Sequence, residues 1–349
     1  MKNICVLVFS LGIAAVALAD GQPAMTPVVV EPAKGYNAWP MIQAAKGRLI
    51  CVYTAGKRHD PGEKGRGTYA RVSTDGGRTW SAQHTVSVDA RCGESPVGKG
   101  LDADGAALFW VRRFGPKPLM GLYRTEDGER FELISEPKLK GPMMQITDVM
   151  NIPGKGLMCF WFGGSYGDDM KMRHWGVLSS LDNGRTWTQR VLGAGMPRNL
   201  WPTEPSGVYL GDGRILAIAR TESRGEPQFQ LTSTDFGETW QVSKTNIFDV
   251  DRSTPSLIYD AKTGLVHNYY YHRGPGVLRR RIAKASHIFD RPGEWPEPET
   301  LVADGGHSID SGNANATTLG GQHHVAYYTG RAPDTAIAVL SLPPAAAAK

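Results

Sequence analysis

Short apolar runs, each introduced by a glycine, recur six times along the chain. The runs are rich in aromatic and β-branched residues, which favour a pleated sheet over a helix. No apolar pattern with helical periodicity continues for three turns. Successive glycines are 58, 51, 57, 51 and 57 residues apart, and they are Gly47, Gly105, Gly156, Gly213, Gly264 and Gly321. The pattern therefore predicts an all-β protein made of six copies of one unit.

A second repeat, an eight-residue segment of the form Ser-x-Asp-x-Gly-x-Thr-Trp, occurs three times between the apolar runs. We call each copy a box. An Asp in this position accepts hydrogen bonds from backbone amides ahead of it and holds a tight turn, while the Trp buries a large ring beside the turn. We therefore assign these Asp and Trp residues a structural role. They are Asp75 and Trp80, Asp182 and Trp187, and Asp235 and Trp240.

Two weaker copies of the box extend the series. Residues 124–131 keep Gly128 and an aromatic residue but have Glu126 at the position of the Asp, and a decayed copy ends at Trp295, five residues after Asp290. Each unit of 51 to 58 residues then has room for four strands. Six such units predict a six-bladed β-propeller of four-stranded antiparallel blades, closed by a last strand from residues 21–35.

The start of the chain predicts where the protein is located. A Lys near the start, an apolar stretch and an Ala-x-Ala ending at Ala19 are typical of a secretory signal peptide. We predict that residues 1–19 are a signal peptide and that residues 20–349 are a single propeller domain, secreted to the periplasm or the extracellular space. The rest of the chain contains no apolar stretch long enough to span a membrane.

Charge and cysteine content narrow the range of partners. The formal net charge of +5 is spread along the chain, which does not indicate a nucleic-acid partner. Cys51, Cys92 and Cys159 follow the predicted signal peptide, and their odd number and wide spacing form neither a disulfide framework nor a zinc site. One bridge among them stays open. We predict no cofactor and no metal, and we expect a monomer.

The predicted architecture also indicates where chemistry can occur. The innermost strands of a propeller converge on its axis, so their ends and the loops that follow surround one cavity, and the boxes lie on the opposite rim. Functional side chains are therefore expected at the start of each first strand and just after each second strand. At the starts of first strands lie Trp39, Glu94, Asp148, Glu204 and Asn313, and after second strands lie Arg58, Asp60, Arg112, Arg220 and Arg273.

Residues 203–220 resemble the segment of the sialidase superfamily in which a Glu opens an inner strand and an Arg closes the next one. The members of this superfamily are six-bladed propellers with Asp boxes that remove terminal sialic acids, and the resemblance extends over nearly the whole chain after residue 19. It implies that Glu204 activates a nucleophile and that Arg220 belongs to a group of three Arg that binds the substrate carboxylate. By placement, Asp60 is similar to the acid/base Asp of the superfamily, and Arg273 is similar to the third Arg.

The chain departs from the superfamily pattern at two positions. The first Arg of the group of three is missing, because the corresponding stretch contains Trp39 instead. In the last blade, Asn313 occupies the place of the Tyr nucleophile. Tyr36 or a Tyr of residues 269–271 are alternatives for the nucleophile, and Arg279 is an alternative for the third Arg.

These residues predict a secreted, exo-acting glycoside hydrolase that removes a terminal acidic sugar, sialic acid or a relative, from glycans. The guanidinium groups would bind the carboxylate bidentately, and an enclosed carboxyl group would supply a proton. Asp60 and Glu204 are the predicted catalytic residues. The predicted binding residues are Arg58, Arg220, Arg273, Trp39, Glu94, Asp148 and Asn313.

Two alternatives to this function stay open. The first is a non-catalytic carbohydrate-binding propeller, because a fold does not fix a function. The second is a lyase, or a hydrolase of different organisation, that acts on a uronate polymer with a His or Tyr base. The histidines available to it are His59, His174 and His272.

Overall fold

The computed structural model describes residues 26–115, 119–141, 143–165, 167, 169–305 and 310–344. The predicted signal peptide lies outside these ranges. Within them, the chain forms 24 strands, a four-residue helix α1 (Ala285–Ile288) and two single 3-10 turns, Met170–Met172 and Arg198–Leu200. None of the helices in the described ranges is long and apolar enough to cross a membrane.

The strands form four hydrogen-bonded sheets, two of eight strands and two of four. In each eight-stranded sheet a single parallel pair, Gly100 with Val149 or Tyr36 with Thr335, joins two antiparallel groups of four strands. We call each four-stranded group a unit and number the units along the chain. The first strand, β1 (Val28–Glu31), is the exception in order, because it pairs with the last strand and completes unit 6. Unit 1 consists of β2 (Tyr36–Ala45), β3 (Arg48–Gly56), β4 (Gly67–Ser73) and β5 (His84–Ser87). Unit 2 consists of β6 (Gly93–Leu101), β7 (Ala107–Phe114), β8 (Leu119–Thr125) and β9 (Glu132–Ser135). Unit 3 consists of β10 (Met143–Ile152), β11 (Gly156–Gly163), β12 (His174–Ser180) and β13 (Thr188–Ala194).

The second half of the chain repeats this arrangement. Unit 4 consists of β14 (Thr203–Gly211), β15 (Arg214–Arg220), β16 (Phe229–Ser233) and β17 (Gln241–Lys244). Unit 5 consists of β18 (Ser256–Asp260), β19 (Leu265–His272), β20 (Val277–Lys284) and β21 (Glu299–Ala303). Unit 6 consists of β22 (Gly312–Leu319), β23 (Gln322–Arg331), β24 (Asp334–Leu342) and β1. The all-β class predicted from the sequence is therefore confirmed.

The first strands of successive units contact one another in a closed cycle that runs from β2 through β6, β10, β14, β18 and β22 back to β2. Six clusters of buried apolar side chains lie between the sheets, and each combines residues of two neighbouring units. Burial of this apolar surface is the main driving force that holds neighbouring units together.

Polar side chains connect the first strands where backbone pairing between units is absent. Ser206 Oγ donates to Asp148 Oδ2 at 3.0 Å and accepts the backbone amide of Leu257 at 3.0 Å, which links units 3, 4 and 5. The ammonium group of Lys99 reaches across to the carbonyl of Ala316 in unit 6 at 2.7 Å. These buried groups are satisfied by one another, as buried polar atoms must be.

The six repeat glycines lie in the hairpins between the first and second strands, and all have φ between 70° and 80°. This left-handed conformation is costly for residues that carry a Cβ, which explains why glycine recurs there. The boxes lie at the same end of each unit. In unit 1, for example, Leu49 of the hairpin pairs with Ser73 at the start of the box.

Each of the three boxes is a turn that satisfies its own polar groups. Asp182 accepts the amide of Thr186 at 2.8 Å and its hydroxyl at 2.6 Å, while Ser180 Oγ donates to the same carboxylate at 2.8 Å. Asp75 and Asp235 make the equivalent bonds. These hydrogen bonds to the ionised form lower the pKa of Asp182 and Asp235 to about 2.

The weaker copies of the box differ from the sequence-based assignment. In residues 124–131 the turn is held by Asp127, whose Oδ1 accepts the amides of Glu129 and Arg130 at 2.8 and 3.0 Å. Glu126 instead forms an ion pair with Arg124 at 2.9 Å, so its assignment to the Asp position was wrong by one residue. At the decayed fifth copy the chain forms α1, and Trp295 donates to Gln230 Oε1 at 3.0 Å within the core between units 4 and 5.

The three cysteines, Cys51, Cys92 and Cys159, are free and buried. Burial raises the pKa of each thiol above its usual value. The bridge left open by the sequence is therefore not formed in this structure.

Candidate active site

A cavity of about 490 Å³ lies at the end of the units opposite the hairpins and boxes, and all six units contribute to its wall. Its wall is formed by the starts of first strands, the ends of second strands and the loops beside them. The residues that line it are Trp39, Met41, His59, Pro61, Ser95, Pro96, Val97, Arg112, Phe114, Gln145, Arg198, Glu204, Arg220, Glu222, Arg252, Thr254, Arg273 and Asn313.

Three of the lining residues occupy equivalent bulges near the starts of their first strands. Trp39, Glu204 and Asn313 have φ of 52°, 47° and 46°, and the strand register shifts at each of them. A left-handed conformation costs a residue with a Cβ roughly 1–3 kcal/mol, and such residues cluster at functional sites. The bulge breaks the alternation of the strand at the position where each of these residues borders the cavity.

The charge of the cavity wall is strongly positive. Five guanidinium groups line it, those of Arg112, Arg198, Arg220, Arg252 and Arg273, against the two carboxylates of Glu204 and Glu222. A guanidinium group matches a carboxylate bidentately, and a concave site with an excess of one charge concentrates ligands of the opposite sign. The wall is therefore suited to an anionic ligand.

Arg220 is held between the two carboxylates. Its Nη1 donates to Glu204 Oε2 at 2.8 Å, and its Nη2 donates to Glu222 Oε2 at 3.1 Å. Glu222 is 2% exposed and also accepts the hydroxyl of Thr203 at 2.6 Å. The ion pair thus fixes Glu204 and Arg220 side by side on the wall contributed by unit 4.

The pKa of Glu204 is raised above its usual value. Burial is the main cause and the nearby Glu222 carboxylate adds to it, while the positive charges of Arg220 and Arg273 act in the opposite direction. The raised pKa keeps a larger fraction of Glu204 protonated at mildly acidic pH than an exposed Glu would have. Among the described residues, Arg220 is the side chain within hydrogen-bonding distance of Glu204, and no Tyr hydroxyl reaches it.

Arg273 is fixed by acceptors on three sides. Its Nε donates to the carbonyl of Ser311 and its Nη1 to the carbonyl of Arg252, both at 2.9 Å. Its Nη2 donates to Asn313 Oδ1 at 3.1 Å, so Asn313 orients this guanidinium group. Because these partners are neutral, the positive charge of Arg273 remains available to a ligand.

Arg252 is part of the same wall. It has φ of 57° and follows Asp251, whose φ is 41°. The nearest carboxylate oxygen to its Nε is that of Asp251 at 4.0 Å, and among the described residues this Nε has no hydrogen-bond acceptor. Burial lowers the pKa of the Arg252 guanidinium, with the charges of Arg220 and Arg224 adding to the effect.

On the opposite side of the cycle, His59 lines the cavity beside Trp39, and their ring centroids are 5.2 Å apart in an edge-to-face arrangement. His59 Nδ1 contacts the hydroxyl of Tyr36, which also donates to Asp310 Oδ1 at 2.9 Å. Burial raises the pKa of Tyr36, so its phenol is neutral. Arg66 is 1% exposed, and its guanidinium carbon lies 5.4 Å from the centroid of the Tyr36 ring.

Known proteins share this architecture. The BNR/Asp-box repeat family matches residues 71–82, which contain the first box. A Dyadobacter fermentans protein of unknown function superposes with a TM-score of 0.74 at 18% identity, covering 93% of this chain and 100% of its own. The sialidase of Trypanosoma rangeli in complex with sialic acid superposes with a TM-score of 0.63 at 12% identity, covering 91% of this chain and 59% of its own.

The NanB sialidase of Streptococcus pneumoniae gives a TM-score of 0.64 at 13% identity, covering 94% of this chain and 71% of its own. This chain has the fold of the sialidase superfamily. It spans about three fifths of the length of the trypanosomal enzyme. No curated protein sequence matches it significantly.

Within this sialidase fold, the cavity brings together five of the residues singled out from the sequence: Trp39, Glu204, Arg220, Arg273 and Asn313. Arg112, noted at the end of its strand, also lines the cavity, where its guanidinium carbon lies 4.2 Å from the centroid of the Phe114 ring. These residues belong to unit positions that the repeat identifies, which is why the sequence could locate them.

Other predicted residues are not among those that line the cavity, although His59 and Pro61, on either side of Asp60, are. The carboxylate of Asp60 accepts the guanidinium group of Arg58 at 3.1 Å and the amide of Gly62 at 3.0 Å, and neither Asp60 nor Arg58 lines the cavity. Glu94 is fully buried and forms an ion pair with Arg113 at 2.9 Å on a separate face of unit 2. Burial raises the pKa of Asp148, which lies within the ring of first strands.

The remaining alternatives are also placed elsewhere. Tyr269, Tyr270 and Tyr271 are buried in the core, where their hydroxyl groups contact His323, Asp249 and Asp304, respectively. Arg279 pairs with Asp249, and His174 contacts the carbonyl of Met172 at 2.9 Å. Of the three histidines considered from the sequence, His59 is the one that lines the cavity.

The sequence analysis missed three charged residues of the wall: Arg198, Glu222 and Arg252. Arg198 and Arg252 lie in irregular segments that precede the first strands of units 4 and 5. Glu222 lies two residues after Arg220, beyond the end of β15. A search extended by a few residues on either side of the repeat positions would have found them. In the described ranges, no group of three or more His, Cys, Asp or Glu side chains is arranged to hold a metal ion.

Proposed function

We propose that the chain is a secreted six-bladed β-propeller and a glycoside hydrolase that removes a terminal acidic sugar from glycans. The cyclic contact of six four-stranded units and the closure of unit 6 by β1 support the propeller. The signal-like segment 1–19 supports secretion. The observation that carries the function is a cavity lined by five Arg and by Glu204, a Glu whose side chain is 11% exposed and whose pKa is raised.

In this proposal, the positive wall binds the carboxylate of the sugar. Arg273 and Arg252 lie next to each other on the unit 5 side, because the guanidinium group of one donates to the carbonyl of the other. Asn313 fixes the orientation of Arg273, and Trp39 offers an apolar ring to the sugar. The sialidase of Trypanosoma rangeli was solved with sialic acid, a carboxylated sugar, which is consistent with such a ligand.

Glu204 is the proposed general acid. Its burial favours the protonated form, which can donate a proton to the oxygen of the leaving group as the glycosidic bond breaks. Arg220 holds the carboxyl group in place and stabilises the carboxylate that remains after proton transfer. Glu222 fixes Arg220, and Thr203 in turn donates to Glu222, so the catalytic group is supported by partners that are themselves bound.

The test is turnover of a panel of sialosides and uronosides by the purified chain and by its Glu204→Gln variant. Gln keeps the shape of Glu but cannot donate the proton, so kcat should fall by about 100- to 10,000-fold. The matched control is Glu126→Gln, because the Glu126 side chain is 62% exposed and far from the cavity in its box. Turnover that survives in Glu204→Gln at the level of the control would reject the assignment.

A non-catalytic carbohydrate-binding propeller is the second candidate. The observation in its favour is that the partner of Glu204 is Arg220 rather than a Tyr hydroxyl, so the nucleophile and base that the superfamily resemblance implies are not assembled here. Binding of acidic glycans with no release of product under any pH would select this candidate over the hydrolase.

A further inference from the structure

His59 is the titratable group of the cavity wall that the proposed function does not yet use. It lies in the loop between β3 and β4, lines the cavity, and its side chain is 29% exposed. Unit 1, which carries His59, and unit 4, which carries Glu204, are three units apart in the cycle of six. The two side chains therefore belong to opposite walls of one cavity.

The hydrogen bonds of Tyr36 define the protonation of the His59 ring. The Tyr36 hydroxyl has one proton, and it donates that proton to Asp310 Oδ1 at 2.9 Å. The contact between Tyr36 and His59 Nδ1 must then use an Nδ1–H donor on the histidine and the phenol oxygen as acceptor. In neutral His59 this tautomer leaves Nε2 unprotonated. Among the described residues nothing binds Nε2, and the His59 side chain lines the cavity.

We propose that His59 is the second catalytic residue of this cavity, a general base opposite Glu204, and that Tyr36 and Asp310 are its positioning residues. The inference rests on the proposed hydrolase function. His59 Nε2 removes a proton from a water molecule while the water oxygen forms a bond to the anomeric carbon. The bond from that carbon to the leaving oxygen breaks, and Glu204 gives its proton to that oxygen. Both groups then return to their starting states by exchanging a proton with solvent.

The placement on opposite walls determines the stereochemistry. A hydrolase with acid and base on opposite sides of the sugar, with room for a water molecule between the base and the anomeric carbon, inverts the anomeric configuration. A cavity of about 490 Å³ has the room for a sugar and this water. The reaction therefore needs no covalent intermediate, which fits a site where Asn313 replaces the Tyr nucleophile.

The charges around His59 favour its neutral, basic form. Burial lowers its pKa from the ordinary value of 6.5, and Arg273, just after β19, and Arg66, just before β4, act in the same direction. Asp310 and Asp60 act in the opposite direction but do not prevail. The phenol of Tyr328 on β23 hydrogen-bonds with Tyr36 and, like Tyr36, has a raised pKa, so it adds no charge.

The direct test compares His59→Asn and His59→Gln with the exposed control His287→Asn on the acidic glycoside that the wild-type chain turns over best. We expect both His59 variants to lose at least about 100-fold in kcat with little change in KM. They should also lose the rise of kcat/KM with pH that deprotonation of His59 produces. An unchanged pH profile and rate in both variants would overturn the inference, and so would loss of the rising limb in Asp60→Asn instead.

The anomer released first, followed by proton NMR, tests the stereochemistry. Inversion supports the inference, and retention would overturn it. An unsaturated sugar product, or no turnover by the wild-type chain on any acidic glycoside, would instead reject the hydrolase function on which the inference rests. An active wild-type chain with equally active His59 variants rejects the inference alone, so the two failures are distinguishable.

A readout independent of activity tests the positioning residues. Nitrogen-15 NMR of the imidazole rings should show His59 in the Nδ1–H tautomer, identified by its loss from the spectrum of His59→Asn. In Tyr36→Phe the phenol acceptor of Nδ1–H is gone, and Asp310 Oδ1, 3.6 Å from Nδ1, is the acceptor that remains nearby. In the double variant Tyr36→Phe, Asp310→Ala both acceptors are gone, and we expect the population of the Nε2–H tautomer to rise. An Nε2–H tautomer that already dominates in the wild-type chain would contradict the assignment.

Discussion

The two ends of each unit differ in how their polar and charged side chains are arranged. At the hairpin end, the boxes bind their own polar groups within a few residues, as Ser180, Asp182 and Thr186 do in unit 3. At the cavity end, five Arg and two carboxylates line one wall, and bulges at Trp39, Glu204 and Asn313 interrupt the first strands. The comparison teaches that the repeated residues build the architecture, whereas the residues that differ from unit to unit supply the candidate chemistry.

Removing a positive charge from the cavity wall should give the largest difference between variants at the two ends. In Arg252→Ala, the wall loses a guanidinium group whose nearest carboxylate oxygen is 4.0 Å away. A charge-assisted bond to a ligand contributes about 1.5–3 kcal/mol, so binding of N-acetylneuraminic or glucuronic acid should weaken by roughly 10- to 100-fold in calorimetric titrations. Arg185→Ala, in the exposed part of the unit 3 box, is the matched control. Equal affinities of the two variants would remove the basis for assigning Arg252 to the site.

Acid should lower the stability of the protein mainly through the carboxylates of the boxes. The folded pKa of Asp182 and Asp235, about 2, lies below the usual value of 3.8. Their contribution to stability is therefore fully present above about pH 4 and is lost as the pH falls through about 2. We expect the urea midpoint of the wild-type chain to fall between pH 4 and pH 2, and to fall less in the double variant Asp182→Asn, Asp235→Asn.

The control for the acid experiment is Asp290→Asn, an exposed position outside any box turn. It should retain the pH dependence of the wild-type chain. A double variant with the full wild-type dependence would show that other carboxylates dominate acid unfolding and that the box hydrogen bonds contribute little.

A smaller effect tests the strain at the cavity end. Asn313 has φ of 46°, so Asn313→Gly should be more stable than Asn313→Ala by about 1 kcal/mol, since both lose the bond to Arg273 and only Ala retains the strained conformation. At Asn151, an exposed position of β10 outside the left-handed region, the order should reverse. Urea unfolding measures both differences. The same order at the two positions would argue against strain at Asn313.

Much of the architecture was accessible from the sequence because its determinants are local and repeated. Gly47 and its five equivalents are needed for a hairpin conformation, and each box Asp acts within its own turn. The error at Glu126 shows the limit of this approach. A turn that forms one residue earlier or later gives the same pattern of residue types, and only the backbone path decides that Asp127 accepts the amides.

The sequence could predict candidate site residues only at strand positions that the repeat defines. Glu204 and Arg220 occupy defined positions on strands, whereas Arg252 lies in an irregular segment that no periodicity describes. The neighbours Asp60 and His59 show a second limit. His59 lines the cavity, whereas Asp60, next to it in the same loop, bonds to Arg58 and to the amide of Gly62. Such long-range and loop-specific contacts leave no pattern in the sequence.

The central claim is that the cavity recognises the carboxylate of an acidic sugar. The most direct measurement is calorimetric titration of the wild-type chain with N-acetylneuraminic acid and glucuronic acid, each compared with its methyl ester. The ester keeps the sugar but removes the charge that the guanidinium groups bind. We predict that at least one acid binds and that its ester binds at least about 10-fold more weakly, as expected for the loss of a charge-assisted bond. Equal binding of acid and ester, or binding of neither acid, would contradict the claim.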